Sequence, residues 1–537
     1  MDESLRALRP DPLSAGAATP AMTTRPGTAA AAAVPVPVAL SRWQMFVAPL
    51  LTGALVAASW LDFSLFPLAW VAFVPLLWAL DRSTTRGEAL RLGLLAGLAT
   101  NIPAFYWLVY TIHTFGGFPY PLAIFFYACL SLYSATQFVF FAWGFHRLRF
   151  GPLGLFAPLL WVALEFLFPN LFPWRMANSQ LELPLLMQSG DLAGPYLLSF
   201  AMVWVSAGLA MLLRARRRFA PLAAAAAAVA VLVVYGAWRM ATVQAAIDAA
   251  PTVRVGLVQG NIGIHEKGNI SLFDVNLEHY RELSTPLQSQ VDVLIWPESV
   301  AQWWTEVGVD RVPPKHNPFV GTSTYLIYGG LAYEYPEDGG EARMYNSAFL
   351  IDGEGRVFGR YDKQVLIPFG EYIPGGSLVP GVYDLSPQTS HFTPGREITP
   401  LQVPGQLRIA PLICYEDVPA GIARAMTAAG AEALLTIFND AWFGNSMAPY
   451  QHEAIALWRA IENRRYFVRV GNAGVTGVVD PFGRVLDRLG MFTAETLRTD
   501  IRPLRITTVY TRIGDAFAWG VVAVAAACLL LTRWRAR

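Results

Sequence analysis

Two kinds of patterning divide the chain. Between residues 44 and 238 apolar positions run almost unbroken in seven stretches, roughly 44–60, 64–80, 92–112, 120–145, 152–168, 193–213 and 220–238, and an eighth covers 516–532. A helix that is apolar all round has no face for water, and about 20 such residues cross a hydrocarbon layer about 30 Å thick. The pattern predicts a multi-pass α-helical membrane domain of about eight transmembrane helices. Helices 1–7 fall in 42–243, and helix 8 with a basic tail falls in 514–537. Residues 1–41, rich in Ala, Pro and Thr, have no apolar periodicity and are predicted to be a disordered tail. No run has the layout of a cleaved signal peptide, since the first follows a long tail and others come directly after it.

From 252 onward the pattern changes to short β-rich stretches, among them Val253 to Gln259, Val291 to Ile295, Tyr325 to Leu331, Ala348 to Asp352, Ile409 to Ile413 and Leu434 to Phe438. Helical patterning lies between several of them, as at 274–290 and 451–463. Alternation of this kind predicts a mixed α/β domain over 250–505, long enough to bury its own core.

Charge sharpens this division. Of 39 Asp and Glu residues, 28 lie between 251 and 510, 10 before and 1 after. Only 15% of the chain is charged, against about 25% in ordinary globular domains, and the mean hydropathy is +0.38. A wholly water-soluble enzyme is excluded. A net charge of +1 gives no field of one sign to draw nucleic acid, so no nucleic-acid partner is expected. Arg and Lys near helix ends favour the cytoplasmic side. The connections after runs two, four and six carry Arg82, Arg86 and Arg91, then Arg147 and Arg149, then Arg214, Arg216, Arg217 and Arg218, and the C-terminus adds Arg533, Arg535 and Arg537. In the connections after runs one, three and five Arg175 is the only strongly basic residue. This alternation puts both termini in the cytoplasm and residues 240–512 on the opposite, extracytoplasmic face.

Candidate chemistry sits where predicted strands end, because a strand's C-terminal end fixes a side chain in a crevice. LIWPES places Glu298 after a buried strand, YDKQVLIPFGEYIP carries Lys363 and Glu371, and PLICYED delivers Cys414 into an acidic turn with Tyr415 and Glu416. Of the three cysteines, Cys129 and Cys528 lie inside apolar runs and Cys414 stands alone. A cysteine is nucleophilic as its thiolate, so a catalytic one needs a base and a nearby cation. Glu298 suits the base, and Lys363 suits a cation that also hydrogen-bonds an oxyanion. Glu371 is placed to hold that lysine. No cofactor is required, and His265, His279, His316 and His452 lack the spacing of a zinc site.

WPES, DKQVLIPFGEY and ICYED resemble the Glu, Lys and Cys signatures of the nitrilase superfamily of carbon–nitrogen hydrolases. VQGNI (258–262), YNSAFLID (345–352), FNDAWFG (438–444), the run 456–483 and FPW (172–174) are similar to the apolipoprotein N-acyltransferase family within it. The resemblance spans about 42–535. It implies an α-β-β-α sandwich beside the membrane helices, on the periplasmic face of a bacterial inner membrane. It implies acyl transfer from a membrane phospholipid, through a thioester on Cys414, to the amino group of a diacylglyceryl-cysteine apolipoprotein. Glu298 would be the base and Lys363 the oxyanion donor, with Glu371, Tyr415 and Glu416 in supporting roles. After QGNI the sequence reads GIHEKG, with Gly263 and Gly268 where the family carries Pro and Trp; Trp303, Trp304 and Trp442 are other aromatic candidates.

Two further readings use the same residues differently. In a membrane-anchored nitrilase-like amidase, water would resolve the thioester; the long apolar framework and FPW argue against it. A scaffold or transporter reading is weakened by the scarcity of ionisable groups in the apolar runs. Glu165 is the exception, either functional or solvated at the interface.

Overall fold

The computed structural model describes residues 40–214, 219–317, 322–336, 339–368, 370–373, 375–378 and 390–535. Most of the expected tail, Arg216 to Arg218 and Arg537 lie outside them. Among the described residues five helices are long and apolar enough to cross a membrane: Arg42–Leu61, Phe63–Arg82, Tyr120–Leu148, Tyr196–Arg214 and Ala220–Ala249. A sixth is Arg86–Ala104 with Leu108–Gly116, if this pair bent by 60° is one span. Pro103 near that bend cannot donate to the helical ladder. The remaining two runs form the shorter apolar helices Pro152–Leu167 and Ala516–Thr532. At 1.5 Å per residue these rise only about 25 Å, so the bend and the two short helices account for the difference from the expected eight.

Close packing of small residues joins the helices. Arg86–Ala104 packs against both Arg42–Leu61 and Tyr120–Leu148, and a Cβ on Gly97 would stand 2.7 Å from the Ala135 Cα, so only glycine allows that approach. At one end the three basic connections meet. Arg149 donates to the carbonyls of Leu80 and Ser83 at 2.6 and 3.0 Å, Arg214 pairs with Asp81 at 3.0 Å, and Ser83 bonds His146 at 3.0 Å. Glu165 is buried rather than solvated, its Oε1 accepting from Trp161 Nε1 at 2.7 Å and from the Met176 amide at 2.8 Å.

The α/β part has two sheets. The first contains β1 (Val253–Gln259), β2 (Val293–Ile295), β3 (Ala301–Glu306), β4 (Tyr325–Glu334), β5 (Arg343–Ile351) and β6 (Val357–Asp362). Together with β13 (Glu495–Ile501) it runs in the order β13-β1-β2-β4-β5-β6, with β3 on β4. The second contains β7 (Leu401–Val403), β8 (Leu407–Ile413), β9 (Ala433–Phe438), β10 (Phe467–Gly471), β11 (Gly477–Val479) and β12 (Val485–Arg488), ordered β12-β11-β10-β9-β8-β7. Strands β1, β2 and β4 pair in parallel, as do β8, β9 and β10.

Side-chain alternation builds the layers. Val293, Ile295, Ile327 and Leu350 belong to one buried cluster with Ile409, Leu412, Leu434 and Ile437, which lie on both faces of the second sheet. Their neighbours Leu294, Leu326, Tyr328 and Phe349 pack on the other face, with Leu277 and Tyr280 of helix Phe273–Ser284. Helices Ala420–Ala428, Ala448–Ala456 and Trp458–Asn463 contribute Ala423, Met426, Ile455 and Ile461 to the core around the second sheet. The result is the expected α-β-β-α sandwich. Gln451 fastens it to the apolar helices, accepting from Trp107 Nε1 at 2.9 Å and donating to the carbonyls of Trp60 and Ala104 at 3.3 and 3.1 Å.

Candidate active site

Three strand ends bring the candidate residues together. Glu298 follows β2, where the Trp296 amide extends the ladder by donating to the Ile327 carbonyl at 2.8 Å. Lys363 follows β6 and its amide bonds the Asn346 carbonyl of β5 at 2.9 Å. Cys414 follows β8 and opens the short turn Cys414–Asp417 with φ +52°, a left-handed conformation that costs a non-glycine residue about 1 kcal/mol or more. Ser299, just after Glu298, has φ +51°. Such turns end the strands abruptly and leave the side chains in the crevice between the sheets.

The charged groups there are almost water-free. Lys363 is 1% exposed, Glu298 and Glu371 8% each. Lys363 Nζ lies 2.7 Å from Glu371 Oε2 and 3.7 Å from Glu298 Oε1, and Asn346 Nδ2 donates to Glu298 at 2.8 Å and to Glu371 at 3.2 Å. The Ile367 amide donates at 2.9 Å to the same Glu371 Oε2 that pairs with Lys363. Burial works to lower the Lys363 pKa, but the carboxylates of Glu371 and Glu298 outweigh it and hold the ammonium above lysine's ordinary value. The Cys414 thiol is pushed well above its ordinary value by burial and then by Glu298, with Lys363 opposing. The site thus places a thiol beside an ammonium flanked by the Glu298 and Glu371 side chains. Cys414 itself remains partly accessible.

Glu416 and Tyr415 serve geometry. Glu416 is wholly buried, and Oε1 accepts from Tyr361 Oη at 2.9 Å and from the Gln364 and Val365 amides at 2.7 and 3.0 Å, while Oε2 takes the Ile413 amide at 2.8 Å. One side chain thus ties the segment after Lys363 to the residue before Cys414. Tyr415 Oη donates at 2.7 Å to the carbonyl of Leu171, 244 positions earlier, beside FPW. Phe172 in turn packs edge-on to Trp107, Phe443 and Tyr415 and, with Trp60, Phe105 and Ile455, lines a small cavity. The Cys414 turn and the segment after helix Phe156–Leu167 are therefore joined directly.

Comparison with known proteins decides the family. Residues 52–208 match the family described as apolipoprotein N-acyltransferase N-terminal domain, and 254–510 match carbon-nitrogen hydrolase. The chain is 34% identical to the apolipoprotein N-acyltransferase of Geobacter metallireducens over 90% of its own length and 94% of that protein's. It is also 34% identical to the one from Azotobacter vinelandii over 92% and 95%. The chain belongs to the apolipoprotein N-acyltransferase family. Among solved structures it is similar to Saccharomyces cerevisiae Nit3, a nitrilase-superfamily member, with 17% identity and a TM-score of 0.35 over 49% of this chain and 95% of that one.

An apolipoprotein N-acyltransferase is an acyltransferase of the nitrilase superfamily, and its apolar helices are those of a membrane protein. The six residues singled out in the sequence all reach one crevice or its walls. Two others carry little sign of their place. Asn346 is visible only as part of YNSAFLID, because an amide in a strand carries no signal of its own. Lys267 sits in GIHEKG, which reads as surface loop, yet its Nζ turns inward and donates to the Glu298 carbonyl at 2.6 Å. Burial lowers its pKa to about 8, against the attraction of Glu298 and Cys414. Next to it Gly268 stands in open space, with nothing nearer to an added Cβ than the Ile264 carbonyl at 4.0 Å. Of the aromatic candidates, Trp304 is half-exposed, Trp303 stacks on His316 at 4.5 Å, and Trp442 packs edge-on against Phe115 at 4.8 Å. Among the described residues no group of three His, Cys, Asp or Glu side chains is placed to hold a metal.

Proposed function

We propose that this chain moves an acyl chain from a membrane phospholipid to the α-amino group of a diacylglyceryl-cysteine at the N-terminus of an apolipoprotein, the last step of lipoprotein maturation. The Cys414 thiol gives its proton to Glu298, and the thiolate attacks the ester carbonyl carbon. Lys363 donates to the oxyanion that forms. As the carbon–oxygen bond breaks, the proton passes from Glu298 to the departing oxygen of the lysophospholipid, leaving a thioester. The amino group then attacks the thioester, Glu298 takes its proton, and the thiol is regenerated as the amide forms. Splitting ester-to-amide exchange in two lowers each barrier, and membrane-bound partners confine the search.

Glu298, Lys363 and Cys414 are the catalytic residues in this reading. Glu371 holds Lys363, Glu416 sets the spacing of Lys363 from Cys414, and Tyr415 joins the nucleophile's turn to the helices. The observation that carries it is the Lys363 ammonium, buried between Glu371 at 2.7 Å and Glu298 at 3.7 Å at the strand end facing Cys414. The placement is an inner membrane crossed eight times, with helices 1–7 in 42–243, the catalytic domain in 250–505 and helix 8 in 514–537. Both termini are cytoplasmic and the catalytic domain periplasmic. The meeting of the basic connections at one end, away from the Leu171–Tyr415 bond, supports that orientation.

The test is mass spectrometry of the full chain incubated with phospholipid and a diacylated lipopeptide. An acyl group first on Cys414 and then on the peptide amine is expected. Free fatty acid without peptide acylation would support an amidase instead, and full activity in Cys414→Ala would overturn both.

A further inference from the structure

The turn that carries Cys414 ends on Asp417, which is wholly buried, and the groups that hold it lie outside the strand-end motifs. Asp417 Oδ2 accepts from Arg469 Nη1 at 2.6 Å, and Oδ1 faces His452 Nε2 at 2.7 Å. The other ring nitrogen, Nδ1, lies 3.1 and 3.3 Å from the two oxygens of Asp440, itself wholly buried. Ionised carboxylates only accept, whereas a neutral imidazole has one donor and one acceptor. A carboxylate on each nitrogen therefore requires a ring that donates from both, an imidazolium, unless an aspartate is protonated. Arg469 on Asp417 favours the ionised aspartate. Burial alone would lower the His452 pKa, but Asp417 and Asp440 raise it to about 9. The other charged group nearby is Glu453, buried and 3.4 Å from Arg488. Phe438 lies edge-on to the imidazole and also under Arg469, shielding the group from water.

Two aspartates and two cations thus balance in a dry pocket behind the nucleophile. The balance matters to the sulfur, because Asp440 also acts on Cys414 and opposes thiolate formation. We infer that His452 is a positioning residue for Cys414: its imidazolium offsets the Asp440 charge that works against the thiolate, and it pins Asp417 so that the nucleophile keeps its left-handed turn. This rests on Cys414 being the nucleophile, as proposed above. Alkylation needs no acyl donor, so a failure in the lipid assay and a failure here are separate results.

The test compares the full-length chain in detergent with His452→Gln and Asp440→Asn, following iodoacetamide modification of the Cys414 peptide by mass spectrometry from pH 6 to 10. Loss of the cation should move the alkylation midpoint up in pH and slow the reaction at pH 7 about tenfold, the effect of one unit in thiol pKa. Loss of the anion should move the midpoint down. A merely structural role would shift both variants in one direction or neither, and either result overturns the inference. Should one variant fail to fold, the other decides alone, since a shift of the wrong sign or none refutes it.

Discussion

Gly329 of β4 lies directly against Glu298. A Cβ at 329 would stand 2.5 Å from the Glu298 Cα and 2.6 Å from the Pro297 oxygen, and the Gly329 amide donates to that same oxygen at 3.1 Å. Glu298, the proposed base, is therefore placed by a bare stretch of neighbouring strand. Gly329→Ala should push the 297–299 segment aside and slow thioester formation about 10²-fold, the cost of a misplacement of about 1 Å, with every reacting group still present. Intact-protein mass after mixing with phospholipid reads the rate, and a thermal transition confirms the fold.

Lys363→Ala removes the proposed oxyanion donor and leaves Glu298 and Glu371 without the ammonium between them. Thioester formation should fall about 10²-fold or more, the scale of a lost oxyanion contact. Acylation of Cys414 at the normal rate would refute the role given to this lysine.

Lys267 gives a pH signature. With a pKa lowered to about 8, its ammonium is charged below that pH and neutral above it, so its attraction for a thiolate exists only on the acid side. Lys267→Met should alkylate Cys414 several-fold more slowly than the parent at pH 7, and the difference should vanish above about pH 9. A constant ratio across the range would show that Lys267 acts through packing alone.

Tyr415→Phe deletes the bond to the Leu171 carbonyl and little else. Loss of one such bond is worth about 1 kcal/mol, enough to loosen the nucleophile's turn from the helices. Acyl transfer from phospholipid should drop about five-fold while alkylation of Cys414 by a small water-soluble reagent stays within two-fold, which stopped-flow and mass spectrometry can separate.

Much of this molecule is legible in its amino-acid sequence. The apolar runs announce the membrane helices because about 20 consecutive apolar residues are what a helix needs to cross the hydrocarbon layer. Glu298 and Cys414 stand out because each follows an apolar strand, and Lys363 because it follows the mixed strand VFGRYD in a Pro- and aromatic-rich stretch. By length five or six of the eight apolar runs are long enough to cross, with 152–167 and 516–532 shorter, and hydropathy does not reveal the bend after Pro103. Asn346, Lys267 and His452 stay hidden, each ordinary in its local sequence and made significant only by what lies opposite.

The sequence by itself determined the division into an apolar and a charged part, the strand ends and which side chains are candidates for the chemistry, because those follow from local periodicity and residue chemistry. Only the tertiary structure decided that Lys363 sits between two carboxylates, that Glu416 ties its segment to Cys414, and that two aspartates meet on His452. Such relations join residues from 8 to 65 positions apart. Charge in a dry interior acts through distance in space, which no spacing along the chain encodes.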